Sequence, residues 1–151
     1  MRSGPVDGAF VKSLVRHGDG RGFFEELIRR SDPFFVGGFG QLSWARRKAG
    51  TVTAWHLHPT QWDWWFVPHG RLRAVLHDLR VGPTSGNTFE VLLGEGVPGG
   101  VLAVPPGVAH GYKVLSGPAE ILYVTSREYD PAEEGRLAHD DPTIGYDWSA
   151  S

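Results

Sequence analysis

The chain has 151 residues, 40% hydrophobic and 21% charged, a balance that fits one folded domain. Its 15 Lys and Arg against 17 Asp and Glu give a formal net charge of −2 without a long basic run, so we expect no nucleic-acid partner. The absence of cysteine excludes disulfides, thiolate nucleophiles and Cys-type zinc sites. No apolar stretch approaches the roughly 20 residues of a membrane helix and no secretory signal is visible, so we expect no membrane association and a cytoplasmic location.

Short segments rich in Val, Leu, Phe and Trp alternate with breaks formed by the 21 glycines and 11 prolines, a spacing typical of an all-β sandwich or barrel. The predicted strands span residues 9–16, 21–28, 34–44, 50–58, 62–67, 71–80, 88–93, 101–104, 109–115 and 120–126. Turns are predicted at residues 17–20, 68–70, 82–86 and 98–100. Asp130 and Pro131 predict one short helix. We therefore predict a single-domain jelly roll over residues 1–151.

Two runs that begin with glycine contain the residues with the clearest chemical signal. The first, residues 50–70, contains His56, His58 and Asp63, and the second contains His110. Because side chains alternate along a strand, His56 and His58 point to the same face, and both imidazoles can reach one ion inside a barrel. Three imidazoles and a carboxylate would leave one or two coordination positions open, and they suit Zn, Fe, Mn, Ni or Co. A His-x-His pair on a strand also occurs in proteins that bind no metal, and the side chain of Asp63 is shorter than that of a glutamate. The pattern therefore leaves open whether a divalent ion is bound.

These two runs resemble the paired motifs of the cupin superfamily, whose fold is a double-stranded β-helix or jelly roll. In metal-binding cupins the matching positions supply three histidines and a glutamate. The resemblance therefore implies that His56, His58, Asp63 and His110 converge inside the barrel, with Asp63 at the position of the usual glutamate.

A closer resemblance extends over most of the chain. Five stretches are similar, in order, to landmarks of the dTDP-4-dehydrorhamnose 3,5-epimerase family: residues 18–26, 78–86, 105–112, 119–123 and 140–144. The resemblance implies a homodimer that binds a nucleotide-linked 4-keto sugar and inverts carbons next to the ketone. It further implies His56 as the base, Tyr123 as the acid, and substrate contacts by Arg21, Phe24, Glu26, Gln41 and His110.

The chain departs from this family's pattern at several positions. Thr53 replaces an arginine, His58 replaces a glutamine, and Asp63 replaces the lysine expected to steady the enolate. The family's C-terminal segment, with an aspartate that pairs with the base, has no counterpart. The exchange of lysine for Asp63 and His58 suggests that a divalent ion replaces the lysine as the Lewis acid, which makes Asp63 a catalytic candidate too. As a metal ligand His56 could not be the base at the same moment, and Tyr123 or a metal-bound water would have to move the proton.

Four tryptophans, Trp55, Trp62, Trp64 and Trp65, surround the first motif. They either fill the core or a dimer seam, or one or two of them stack on a nucleobase or sugar. Strand alternation places Trp65 on the same face as Asp63, which makes Trp65 a candidate substrate contact. Trp64 is predicted to face outward.

We therefore expect an epimerase or isomerase that acts on a nucleotide-linked 4-keto-6-deoxy sugar, with no organic cofactor and at most one divalent metal ion. Two other functions stay open. One is a metal-dependent cupin oxygenase or isomerase that acts on a small keto or hydroxy acid. The other is a non-catalytic sugar-binding cupin.

Overall fold

The computed structural model describes residues 2–150, and over this range it contains antiparallel strands and one 3-10 helix. The strands are β1 (Arg2–Ser3), β2 (Phe10–Lys12), β3 (Arg16–Asp19), β4 (Gly22–Glu25), β5 (Gln41–Arg47), β6 (Val52–Leu57), β7 (Asp63–Asp78), β8 (Thr88–Gly94), β9 (Val101–Val104), β10 (Val108–Thr125) and β11 (Gly135–Arg136). The helix spans Pro131–Glu133, and Asp130 caps it by accepting a hydrogen bond from the Ala132 amide at 3.0 Å. The predicted all-β class and the predicted short helix are confirmed.

The two longest strands, β7 and β10, have 16 and 18 residues and form the centre of the sheet. The sequence predicted two strands in place of each and a turn at residues 68–70, and these predictions are wrong. Each strand bends without ending. Gly70 has a φ of +72°, and a Cβ at this position would lie 2.5 Å from the Ser116 carbonyl oxygen on β10. The ladder between the strands changes register between Ser116 and Glu120, so the turn-forming residues produce adjacent bulges in place of chain reversals.

The bends divide the strands into two layers. The first half of β7 pairs with β9 and with the second half of β10, which also pairs with β5. The second half of β7 pairs with β8 and with the first half of β10, which also pairs with β6. β2 extends the first layer beyond β9, and β11 extends the second layer beyond β6. This arrangement is the predicted jelly roll.

Between the layers lies the main hydrophobic core, in which Leu72, Ala74 and Leu76 of β7 are fully buried at alternate positions. The intervening residues Arg73 and Val75 are buried as well. Val75 belongs to the same buried cluster as Trp148, and Arg73 donates a hydrogen bond to the Ala150 carbonyl at 2.7 Å. The C-terminal segment thus covers the outer side of this layer.

Trp64 lies on the opposite face of β7 from Asp63, as alternation predicts, but it is 1% exposed and not on the surface. The segment over residues 34–40, predicted as part of a strand, is irregular and packs against this face. The backbone carbonyl oxygen of Phe34 accepts a hydrogen bond from the Trp64 indole at 3.0 Å. Burying two large aromatic rings stabilises the fold by several kcal/mol, roughly 1.5–3 kcal/mol for each large side chain.

β3 and β4 form a separate two-stranded sheet, and part of the turn predicted at residues 17–20 belongs to β3. Phe23 and Phe24 on this hairpin are 61% and 63% exposed. The Arg16 guanidinium lies over the Phe23 ring, 3.6 Å from its centroid, and both phenylalanines still expose most of their apolar surface.

Over residues 2–150 the structure contains no helix with the length and apolar character needed to cross a membrane. The cytoplasmic location stays a prediction.

Candidate active site

A cavity of about 290 Å³ is lined by residues of β5, β6, β7 and β10 and by Tyr129, Glu134 and Arg136. The alternation of β5 explains its contribution, because Gln41, Ser43 and Ala45 line the cavity while Leu42 and Trp44 between them are exposed. The predicted substrate contact Gln41 therefore lies in the cavity. Its amide nitrogen donates to the Ser43 hydroxyl at 3.0 Å, which fixes the orientation of the side chain.

His56 and His58 both line the cavity, as their spacing predicts. The His56 side chain is 29% exposed, whereas that of His58, which follows the last residue of β6, is 8% exposed. Burial, followed by the charge of Arg136, lowers the pKa of His56 below its ordinary value of 6.5. The imidazole of His56 is therefore neutral at neutral pH and able to accept a proton.

Asp63 lies between two buried imidazoles. One of its carboxylate oxygens is 3.8 Å from Nε2 of His58, and the other is 3.7 Å from Nε2 of His110. Gln61 donates to one oxygen at 2.8 Å and the Trp65 indole to the other at 3.4 Å, so the carboxylate is held in place. The short aspartate side chain therefore still reaches both imidazoles at ion-pair distance.

The tautomer of His110 follows from its backbone contact. Its Nδ1 lies 3.0 Å from the Val108 carbonyl oxygen, which can only accept a hydrogen bond, so Nδ1 carries the proton. Burial lowers the pKa of His110 to about 4, which keeps the ring neutral at neutral pH. The lone pair of Nε2 therefore faces the carboxylate of Asp63.

His58, Asp63 and His110 are all buried, and each offers a potential ligand atom within 4.8 Å of the other two. His56, expected as a fourth metal ligand, lies outside this cluster of three. Imidazole and carboxylate ligands of this kind suit divalent transition metals. The structure thus separates the half-buried His56 from the fully buried group of His58, Asp63 and His110.

Tyr123 and Trp65 also line the cavity, and they are paired residues on the adjacent strands β10 and β7. The Trp65 ring packs edge-on against His110, with ring centroids 5.5 Å apart. The cavity therefore brings together seven of the residues selected from the sequence, namely Gln41, His56, His58, Asp63, Trp65, His110 and Tyr123.

The other three candidate substrate contacts, Arg21, Phe24 and Glu26, do not line this cavity. Arg21 and Phe24 belong to the hairpin of β3 and β4, where Arg21 pairs with Asp19. Glu26 follows this hairpin and pairs with Arg29. A single chain thus does not bring these three residues to the histidines.

Glu134, which the sequence analysis missed, supplies an acidic group to the histidines. Its carboxylate oxygens lie 3.8 Å from Nδ1 of His56 and 3.4 Å from Nδ1 of His58. β11 brings it there, because Gly135 and Arg136 pair with Leu57 and His56 on β6. No sequence signal identified it, since a strand of two residues shows no periodicity.

Two arginines in the cavity lining were missed as well. Arg47 is the last residue of β5, and Arg136 lies on β11 opposite His56. Thr53, at the position where an arginine was expected, also lines the cavity. The positive charge of the cavity therefore comes from different strands than the resemblance implied.

The fold and the cavity define a cupin-type jelly roll with a polar, histidine-rich site between its two layers. The sequence pattern of the family described as dTDP-4-dehydrorhamnose 3,5-epimerase matches residues 3–151, and the chain belongs to this family. This match confirms the resemblance seen in the five ordered stretches. Members of this family are epimerases of nucleotide sugars.

Three relatives illustrate the similarity. The spore coat polysaccharide biosynthesis protein SpsL of Bacillus subtilis is 44% identical over 148 residues, covering 95% of this chain and 97% of that protein. The crystal structure of a dTDP sugar isomerase from Desulfovibrio desulfuricans superposes with a TM-score of 0.89 at 29% identity, covering 97% of this chain and 94% of that one. The epimerase RmlC of Legionella pneumophila, solved in complex with dTDP-4-keto-L-rhamnose, gives a TM-score of 0.85 at 28% identity, covering 97% and 81%.

Proposed function

We propose that the chain epimerises a nucleotide-linked 4-keto-6-deoxy sugar, in the dTDP form, at one or both carbons next to the ketone. The observation that carries this proposal is the presence of His56 and Tyr123 in one cavity, which provides a neutral imidazole and a phenol around one substrate. Membership of the dTDP-4-dehydrorhamnose 3,5-epimerase family supports the substrate class.

Inversion next to a ketone needs a base and an acid. In the proposed reaction the C–H bond next to the ketone breaks and its proton moves to His56. The electron pair of that bond forms a carbon–carbon double bond, and the carbonyl electrons move to oxygen to give an enolate. Tyr123 then donates its phenolic proton to the carbon from the opposite face, and the ketone re-forms with inverted configuration.

The enolate oxygen needs a positive charge nearby, and position 63 holds an aspartate. We propose that His58, Asp63 and His110 bind one divalent ion, such as Zn, Fe, Mn, Ni or Co. The fit rests on the donor atoms, because the Nε2 lone pair of His110 faces a carboxylate oxygen at 3.7 Å and a cation between them would satisfy both. When bound, the ion would polarise the substrate ketone. His56 lies outside this cluster and so stays free to act as the base.

Recognition of the nucleotide is proposed to involve a second copy of the chain. The exposed phenylalanines of the β3–β4 hairpin, and Trp44 at 67% exposure on the outer face of β5, support a homodimer contact. In that dimer Arg21, Phe24 and Glu26 would complete the cavity of the partner. Arg47 and Arg136 support the binding of a diphosphate, because both residues line the same cavity.

The test is hydrogen exchange on dTDP-4-keto-6-deoxyglucose in deuterium oxide, followed by proton NMR. The wild-type protein is expected to replace the hydrogen at one or both carbons next to the ketone and to form the inverted product. H56N should abolish both events. Y123F should still exchange hydrogen through His56 but form no inverted product, whereas Y146F, a matched variant outside the cavity lining, should behave like the wild type.

Two results would overturn the proposal. Oxygen consumption with a small keto or hydroxy acid, without exchange on the sugar nucleotide, would identify a cupin oxygenase. Binding of the sugar nucleotide without exchange at any metal concentration would identify a non-catalytic sugar-binding protein.

A further inference from the structure

We infer that Glu134 is the positioning residue of the base, holding the Nδ1 proton of His56 so that Nε2 is free to accept the substrate proton. The inference rests on the proposed function, in which His56 is the base. Glu134 lies immediately before β11, and it is not part of the five ordered stretches that first indicated the family.

The surroundings of Glu134 indicate this role. Its side chain is 15% exposed, and among residues 2–150 the nitrogens within ion-pair distance of its carboxylate belong to His56 and His58. Each of its two oxygens faces the Nδ1 atom of a different imidazole. A largely buried carboxylate directed at two imidazoles is best compensated by N–H groups on those rings.

The chain provides a rigid support for this carboxylate. Glu134 ends the 3-10 helix that Asp130 caps, and its amide donates to the Pro131 carbonyl. The next residue, Gly135, lies against β6 so closely that a Cβ there would be 2.8 Å from Cγ of Leu57. A side chain at this position would have to displace Leu57 or β11, so the position of Glu134 depends on the residue that follows it.

The segment after β11 is anchored as well. Leu137 and Trp55 exchange two backbone hydrogen bonds, at 3.0 and 3.1 Å. Trp148 packs on Trp55 with ring centroids 5.1 Å apart, and the Lys113 ammonium donates to the Trp148 carbonyl at 2.9 Å. The carboxylate is therefore attached to the core on both sides of the turn that presents it.

The chemistry follows from the two nitrogens of the imidazole ring. A carboxylate at Nδ1 favours the tautomer with the proton on Nδ1, which leaves the lone pair on Nε2. After His56 takes the substrate proton, the same carboxylate stabilises the imidazolium ion. The present distance of 3.8 Å is longer than a hydrogen bond, and contacts of this kind tighten when substrate fills the site. Glu134 thus serves the base without touching the substrate.

The first test reads the tautomer directly and does not depend on activity. The ring nitrogens of His56 are observed by NMR in 15N-histidine-labelled protein, assigned by comparison with H56N, at a pH where the ring is neutral. The wild type is expected to show the proton on Nδ1. E134A should shift the population towards the Nε2–H form, and E128A, a matched variant at an exposed glutamate outside the cavity, should not. An unchanged tautomer in E134A would overturn the inference.

The second test reads catalysis. E134A is expected to lower kcat about 100-fold with little change in KM, and E134D should recover part of the loss. Added formate should raise kcat of E134A and leave the wild type and E128A unchanged, an effect that a purely structural role would not produce. A kcat of E134A close to that of the wild type overturns the inference. If the wild type itself shows no exchange, the proposed function fails, and the tautomer comparison still decides whether Glu134 positions His56.

Discussion

Asp78 accepts two hydrogen bonds from the guanidinium group of Arg80, one on each carboxylate oxygen, at 2.9 and 3.0 Å. Asp78 ends β7 and is 2% exposed, and it also accepts the hydroxyl of Thr84. Arg80 donates in turn to the Asp7 carbonyl at 2.7 Å. The pair therefore ties the loop after β7 to the N-terminal segment.

This pair predicts a loss of stability in acid. The hydrogen bonds from Arg80, followed by those from Thr84 and the Arg80 amide, outweigh burial and lower the pKa of Asp78 from 3.8 to about 2. Since the unfolded chain binds this proton at higher pH than the folded chain, the contribution of Asp78 to the free energy of unfolding is complete above about pH 4 and falls as the pH approaches about 2. Urea unfolding at several pH values should show a smaller acid loss for D78N than for the wild type. D140N, at an exposed aspartate, should keep the wild-type pH dependence, and an equal loss in D78N would contradict the prediction.

The separation of His56 from the buried cluster predicts that His56 and His58 have different effects on metal binding. Each protein is incubated with Zn²⁺, dialysed and measured by elemental analysis. The wild type and H56A are expected to retain about one ion per chain, whereas H58A and H110A should retain less than about a tenth of that amount, since each loses one of three ligands. H56A should nevertheless be inactive. A wild-type protein that retains no metal, or equal retention by H58A, would refute the metal site.

Much of the site could be predicted because its residues lie on strands with visible alternation. His56 and His58 share a face in the structure as they do in the pattern, and Asp63 and Trp65 share theirs. Glu134 and Arg136 could not be predicted this way. They reach the cavity because β11 pairs with β6. A strand of two residues is too short to show an alternation of polar and apolar residues in the sequence, and its partner strand is distant in the chain.

The C-terminal segment predicts a link between stability and activity. Trp148 is 6% exposed and packs on Trp55, so W148A should lower the free energy of unfolding by about 3–5 kcal/mol. Because this packing anchors the chain that follows Glu134, kcat should fall as well, in protein that is still folded at low temperature. W148F keeps most of the aromatic contact and should lie between W148A and the wild type. Chemical denaturation and the exchange assay measure the two effects, and a W148A protein with wild-type stability would show that the segment is not an anchor.

The fold was predictable in class but not in the extent of its strands. Gly70 and the proline-containing stretch before Ala119 look like turns in the sequence, yet they are bends that lie against each other, since a Cβ on Gly70 would be 2.8 Å from Cα of Ala119. Whether a glycine reverses the chain or bends it depends on the neighbouring strand, which local sequence does not reveal. The burial of Trp64 depends in the same way on a distant irregular segment around Phe34.

The exposed β3–β4 hairpin predicts that two defective chains can restore one active site. If Arg21 serves the cavity of a partner, R21A should bind the sugar nucleotide weakly, with KM raised about tenfold or more for the loss of a charged phosphate contact. A hybrid of R21A and H56A then contains one cavity with His56 intact and a native Arg21 supplied by the partner. At low substrate concentration R21A alone turns over little substrate and H56A alone turns over none, so mixing the two proteins under conditions of subunit exchange should restore exchange activity there.

The matched control is a mixture of H56A and Y123F. Each of these two substitutions affects the cavity of the chain that carries it. The hybrid therefore still has one defect in each cavity and should not recover inversion. Recovery by the first mixture and not by the second requires that the hairpin act across the dimer. Two results would contradict the prediction: no recovery in either mixture, and the mass of a single chain in light scattering. Arg21 could then not contact the substrate, because within one chain the hairpin lies outside the cavity lining.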